Sequence, residues 1–191
     1  LNIFDRSQHK AILSHIKKIL RFSKYLGAKN IIFGSPINRK INLKKKLQQN
    51  LVGVEILKKI INECKKKKIV FCIEPNARYY NCNYINSILQ AIKLVKKINY
   101  KNFLINADTG NISLENKRLV NFRKQKKFFG NFQISEKDLV SLSKGNVNHE
   151  KILGHFDLSE KVISLEMNNI KIINLRNEIK IFKNLISKIS N

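Results

Sequence analysis

The sequence predicts an α/β protein built on a parallel sheet, and three observations carry that expectation. Short apolar runs of about five residues alternate with helical patterns, as buried parallel strands joined by crossover helices do. Three of the runs end in a carboxylate: Ile69-Val70-Phe71-Cys72-Ile73 before Glu74, Phe103-Leu104-Ile105-Asn106-Ala107 before Asp108, and Val162-Ile163-Ser164-Leu165 before Glu166. A fourth, Phe128-Phe129-Gly130-Asn131-Phe132, reaches Gln133 in the same position. Acids are scarce, 13 Asp and Glu against 38 Lys and Arg, so three at equivalent places are not explained by solubility. In parallel sheets the C-terminal strand ends face the ligand crevice or barrel mouth. Acids converging there suit a metal or proton-transfer site.

The elements follow in order. A first helix is expected over 7–26, where Ile12, Ile16, Ile19, Leu20 and Leu26 form an apolar stripe and Gly27 supplies a stop. Residues 30–34 read as a strand closed by Ser35-Pro36. After an Asn- and Lys-rich loop (38–46), a helix over 48–65 turns Leu51, Val54, Leu57, Ile60 and Ile61 inward. Strand 69–73 delivers Glu74 into a long polar loop, 75–84, of the kind that carries function. A helix over 85–97 leads to strand 103–107, Asp108 and a Thr109-Gly110 turn. Then come a short helix around 114–123, the strand ending at Gln133 and a loop over 134–148. A short helix over 149–155, strand 162–165 and a last helix over 174–190 close the pattern.

Such alternation fits a doubly wound sheet or a TIM (β/α)8 barrel. The barrel is favoured, because consecutive strands each bring a polar residue to one rim and no Gly-rich phosphate turn follows the first strand. A complete barrel has eight strands in about 250 residues. Five strands are legible in these 191 residues, and the chain opens on a helix with no strand before it. The expectation is one partial barrel domain over 1–191, lacking about three initial strands, with open sheet edges at Asn30 and Val162. An opening Leu1, with Met167 the only methionine, reads as a fragment or a processed piece.

Charge and cysteines bound the partners. A net charge of +25 invites a nucleic-acid reading, with lysine runs at 44–46, 65–68 and 123–127. Yet Lys, Asn and Ile are spread evenly, as an AT-rich genome imposes, and no basic segment is interleaved with stacking aromatics. Nucleic acid is therefore not the expected partner. No apolar stretch nears the roughly 20 residues of a membrane span and no signal peptide opens the chain. Cys64, Cys72 and Cys82 are odd in number and lack zinc spacing, which points to a reducing cytoplasm.

The ordered motifs resemble the xylose isomerase-like TIM barrels, in particular their sugar phosphate isomerase/epimerase branch. The matching stretches are Leu26-Gly27-Ala28, Phe33-Gly34-Ser35-Pro36 with Asn38-Arg39, and Cys72-Ile73-Glu74-Pro75-Asn76 with Tyr80 and Cys82. Asp108-Thr109-Gly110, Ile134-Ser135-Glu136 and Ser164-Leu165-Glu166-Met167 follow in family order. The resemblance implies that the observed strands are the fourth to the eighth of the barrel. It also implies a divalent metal held by Glu74, Asp108, Gln133 and Glu166. Glu74 and Glu166 would act as the catalytic acid/base pair, and Arg39, Asn76, Tyr80 and Asn111 would bind the sugar. Glu136 would orient a ligand from behind, or cap a helix. Gln133 departs from the family's usual histidine, and Asn111 stands where many epimerases place a substrate-binding histidine. An all-oxygen set of this kind suits Mn²⁺ or Mg²⁺ better than Zn²⁺.

The expected function is metal-dependent isomerisation or epimerisation of a ketose or sugar phosphate by proton transfer next to the carbonyl. The alternatives are a non-catalytic barrel, suggested by the missing histidine, and an endonuclease IV-like DNA repair enzyme, disfavoured because no histidine ends a strand. His9, His15, His149 and His155 are all expected to be structural, and self-association stays open.

Overall fold

A computed structural model of the chain describes residues 1–115, 119–168 and 171–190. Among them, helices and strands alternate as α1 His9–Tyr25, β1 Asn30–Phe33, α2 Lys46–Lys66, β2 Val70–Ile73, α3 Ile88–Ile98 and β3 Phe103–Asp108. The series continues with α4 Thr109–Glu115, β4 Phe129–Ser135, α5 His149–Leu153, β5 Val162–Glu166 and α6 Ile172–Ser190. Hydrogen-bonded neighbours in the sheet follow chain order, β1-β2-β3-β4-β5. β1 pairs with β2, β2 with β3 and β4 with β5, each in parallel. A doubly wound sheet would reverse its order partway, whereas sequential order is that of a barrel wall. No described helix is long and apolar enough to cross a membrane. The chain forms two compact units, Leu1–Ile105 and Asn106–Asn191.

In the first unit, Asp5 caps a 3-10 turn, Arg6–Gln8, by accepting the Ser7 N–H at 3.0 Å. The α-helix therefore begins at His9 rather than Ser7. It ends as the sequence predicts, with Gly27 at φ +68° and the Ala28 N–H returning to the Ser23 carbonyl at 2.8 Å. α2 buries Ile56, Leu57, Ile60, Ile61 and Cys64, each large apolar side chain contributing about 1.5–3 kcal/mol. Leu51, expected inward, is instead 65% exposed, as is Leu26 at 62%. At Gly53 the helix runs so close to Phe4 that a Cβ would lie 2.6 Å from its ring. α3 starts at Ile88, three residues later than expected, because Ile85 adopts φ +57° and cannot be helical. Ser87 supplies the cap, its side chain accepting the Gln90 N–H at 3.3 Å.

The pleat gives these strands two characters. Phe33, Phe71 and Phe103 stack across β1, β2 and β3 with centroids 6.1 and 5.9 Å apart. Cys72 and Glu74 lie on the opposite face.

In the second unit the same alternation sharpens. β4 turns Phe132 and Ile134 to one side and Asn131, Gln133 and Ser135 to the other. Its register sets Gln133 opposite Ser164 and Ser135 opposite Glu166 of β5. Phe122, Phe129, Phe132 and Phe156 cluster with centroids 5.1 to 6.3 Å apart. β4 runs two residues beyond Gln133, so Gln133 sits within the strand and Ser135 ends it. The helix expected around 114–123 falls partly on 116–118, outside the described residues. What is described is a helix that begins directly after Asp108 and a 3-10 turn over Arg123–Phe128.

Candidate active site

In the first unit the site is built around Glu74, which follows β2 and is 6% exposed. Gly34 makes room for it: a Cβ there would sit 3.1 Å from the carboxylate carbon and both its oxygens. Asn76 donates through Nδ2 to Glu74 Oε1 at 2.7 Å, and its Oδ1 accepts from Arg39 Nη2. Asn76 therefore bridges a cation to an acid. Its backbone carbonyl accepts from Asn86 Nδ2 at 2.9 Å, and the same amide group reaches the Cys82 carbonyl at 2.8 Å. These bonds hold the loop 75–86 in place, with the left-handed Ile85 as its strained member.

Arg39, named among the sugar-binding candidates, is wholly buried and stacks over Phe33 at 5.6 Å. Its Nε and Nη1 have no hydrogen-bond partner among the described residues. Burial pushes the guanidinium below its ordinary pKa, while the Cys82 thiol and the Glu74 carboxylate pull the other way. Tyr80 lies on the 3-10 turn Arg78–Tyr80 and packs edge-on against Tyr79 at 5.0 Å.

In the second unit Asp108 ends β3 and is 1% exposed. Its Oδ1 accepts from the backbone N–H and the side-chain Nδ2 of Asn111, at 2.7 and 3.0 Å. Asn111 is thus placed as a partner of Asp108. Oδ2 has no hydrogen-bond partner among the described residues. Burial pushes the Asp108 carboxyl above its usual range, opposed by the nearby Ser135 hydroxyl, the Asn111 donors and His149. Glu166, at the end of β5, is raised as well, first by burial and then by the charge of Asp108.

Gln133 departs from expectation. Its Oε1, the atom expected to face a metal, already accepts from Asn106 Nδ2. Asn106 in turn accepts from Asn131 Nδ2 at 2.7 Å.

Glu136, expected to orient a ligand or cap a helix, and His149, expected to be structural, meet in this unit. Glu136 is 3% exposed; its Oε2 accepts the backbone N–H groups of Asn146 and Val147 at 3.0 and 3.2 Å. Its Oε1 meets His149 Nε2 at 2.8 Å, and His149 Nδ1 meets Thr109 Oγ1 at 3.0 Å. Thr109 Oγ1 accepts the Ser135 N–H at 3.2 Å. A buried polar chain therefore ties the loop at 145–147 to the residue after Asp108. Gly145 permits it, since a Cβ there would fall 1.8 Å from the Glu136 carboxylate carbon. The spacing of Glu136 and His149, 13 residues apart across a loop, carries no local motif.

No three His, Cys, Asp or Glu side chains group as a cation site among the described residues. The chemistry of the donors still fits a cation. Asp108 keeps one oxygen unpartnered in a buried place, and it shares its field with Glu166. A divalent ion would neutralise both, and the carboxylates are the hard oxygen ligands that Mg²⁺ and Mn²⁺ prefer.

Comparison with known proteins agrees with this architecture. No curated protein sequence matches the chain. A solved protein from Anabaena variabilis assigned as a sugar phosphate isomerase/epimerase superposes with a TM-score of 0.75 at 16% identity. That match covers 98% of this chain and 73% of the other. D-allulose 3-epimerase from a Methylomonas species gives 0.69 at 16% identity, over 95% of this chain and 65% of its own. The 3-keto-D-glucoside 4-epimerase of E. coli gives 0.75 at 15% identity, over 97% and 75%. At these identities the likeness is one of fold, and the chain spans about two thirds to three quarters of each relative. The family description "xylose isomerase-like TIM barrel" matches residues 1–186, and the chain belongs to that family.

Proposed function

We propose that the chain carries the acid/base machinery of a sugar or sugar phosphate isomerase/epimerase, which moves a proton next to a carbonyl. The observation that supports this reading most is the coupled pair in the second unit: Asp108 and Glu166, both at strand ends, both with raised carboxyl pKa. A carboxyl raised by burial and a like charge is poised to give and take protons nearer neutrality than an ordinary glutamate. Glu166 is the acid/base residue of the second unit, and Glu74 that of the first. Glu74 is oriented by the amide of Asn76, with Arg39 behind it. Asp108 holds Asn111 through one oxygen and keeps the other for a cation. Within the second unit Asp108 and Glu166 are the residues that would hold Mn²⁺ or Mg²⁺ in preference to Zn²⁺, since neither is an imidazole or a thiolate. Bound there, the ion would supply Lewis acidity at the sugar's carbonyl oxygen.

The test is solvent-deuterium incorporation into a panel of ketoses and ketose phosphates, with Mn²⁺ or Mg²⁺ present. The expected result is exchange at the carbon beside the carbonyl, abolished by Glu74→Gln and by Glu166→Gln. If no sugar in the panel exchanges its proton, the catalytic reading fails and a non-catalytic barrel takes its place.

A further inference from the structure

We infer that Gln133 serves as a hydrogen-bond donor to an oxygen of a polyhydroxy ketone, and not as a metal ligand. The argument begins at a backbone carbonyl. Asn131 Nδ2 lies 3.2 Å from the Phe132 carbonyl and 2.7 Å from Asn106 Oδ1. A carbonyl oxygen only accepts, so the Asn131 amide must present its NH2 group to it. Turned over, Asn131 would set its oxygen against two other oxygens. With Asn131 fixed, Asn106 must accept through Oδ1, and its Nδ2 is left to donate. That Nδ2 donates to Gln133 Oε1. Each amide thus dictates the orientation of the next, and the chain ends with the NH2 edge of Gln133 turned away from Asn106.

Burial makes the sequence of orientations firm. Asn106 is 0% exposed and Asn131 is 4% exposed, so water does not compete for their bonds and a reversed amide would leave buried groups unpaired. Gln133 itself is only part-buried, and it lies in β4 two residues before Ser135, which registers with Glu166. An outward NH2 group on the face that carries Ser135 and Glu166 is suited to a hydroxyl, a carbonyl oxygen or the oxyanion that develops as a proton leaves the neighbouring carbon. It is unsuited to a cation. The sugar as the source of that oxygen rests on the activity proposed above; the orientation of the amide does not.

The experiment uses the full chain, ¹⁵N-labelled, with the side-chain amides assigned by comparison with Gln133→Leu and Asn131→Leu. In the metal-free protein the Gln133 NH2 protons should exchange rapidly with solvent, while those of Asn106 and Asn131 are protected. Asn131→Leu should remove the protection at Asn106 and shift the Gln133 resonances. Calorimetric titration with Mg²⁺ should give Gln133→Leu an affinity within about two-fold of the parent, and addition of the ketose panel should shift the Gln133 NH2 signals. Protected Gln133 protons beside unprotected Asn106 protons would overturn the inference, and so would a loss of tenfold or more in Mg²⁺ affinity for Gln133→Leu. Failure of every ketose to move the Gln133 signals would overturn its assignment to a sugar oxygen. If the parent binds no Mg²⁺, the metal-dependent function fails, and the amide exchange pattern still decides the orientation of Gln133.

Discussion

Asp108→Asn should stabilise the metal-free protein at neutral pH, and the size of the gain follows from one atom. Asp108 is 1% exposed, with Oδ1 satisfied by two donors from Asn111 and Oδ2 unpartnered. Asparagine keeps the accepting oxygen and replaces the charged Oδ2 with a neutral NH2 group. Removing a buried, unsatisfied, charged oxygen is worth about 1–3 kcal/mol or more. For a chain of this size each kcal/mol moves Tm by about 2–4 °C, so the melting point should rise by roughly 2–12 °C. The sign with pH is fixed by the direction of the shift. The folded-state carboxyl pKa lies above its unfolded value. Below the unfolded value, about 3.9, both states hold the proton and the carboxyl causes no penalty. As pH rises through the raised folded value, the buried group must ionise and stability is lost. The advantage of asparagine should therefore be smallest near pH 4 and grow as pH rises. Thermal melts of parent and variant in chelator, across that pH range, measure it. A variant that melts at or below the parent at neutral pH, or an advantage that does not change with pH, would refute the reasoning. With Mg²⁺ present the ranking should reverse if the parent alone binds the ion, by the mass-action gain of ligand binding.

Two other outcomes are expected. His149→Phe removes the partner of Glu136 Oε1 and of Thr109 Oγ1, both buried, and should cost about 1–3 kcal/mol, read as a lower urea midpoint; an unchanged midpoint would mean the polar chain carries no stability. The Cys64 thiol is buried and pushed up to about 12, and Cys72 and Cys82 are buried as well. All three should resist alkylation near pH 8 until the chain is unfolded, as mass spectrometry would record.

The strands and the acids at their ends were legible in the sequence, because a buried parallel strand writes itself as an apolar run and a rim carboxylate as its break. The apolar run before Glu74 gave its strand to within a residue. The misses have local causes. α3 begins later than the pattern predicts because Ile85 has a helical side-chain type but a left-handed backbone that forbids a helix there. β4 runs further than the pattern predicts because Asn131 and Gln133 resemble a strand's end, whereas they are one face of a strand whose other face is Phe132 and Ile134. His149 is buried and hydrogen-bonded, in keeping with the structural role expected of it, but its meeting with Glu136 depends on how the loop between them folds back over Gly145. The burial of Arg39 is not legible in the sequence either, since it depends on Phe33 and Asn76, which the fold brings to it.

The double character of β4 has a consequence for what this chain can tolerate. Alternate residues of one segment serve two masters: Phe132 and Ile134 answer to packing, Asn131, Gln133 and Ser135 to polar partners. Substitution can therefore edit one text without touching the other. Deletion cannot, because dropping a single residue shifts every later side chain to the opposite face. Ser135, Gln133 or Asn131 would then be thrust into the aromatic cluster, and a phenylalanine or isoleucine would appear among the amides. Length changes are thus confined to the loops, and the spacing of these seven residues is as much a determinant of the site as their identities.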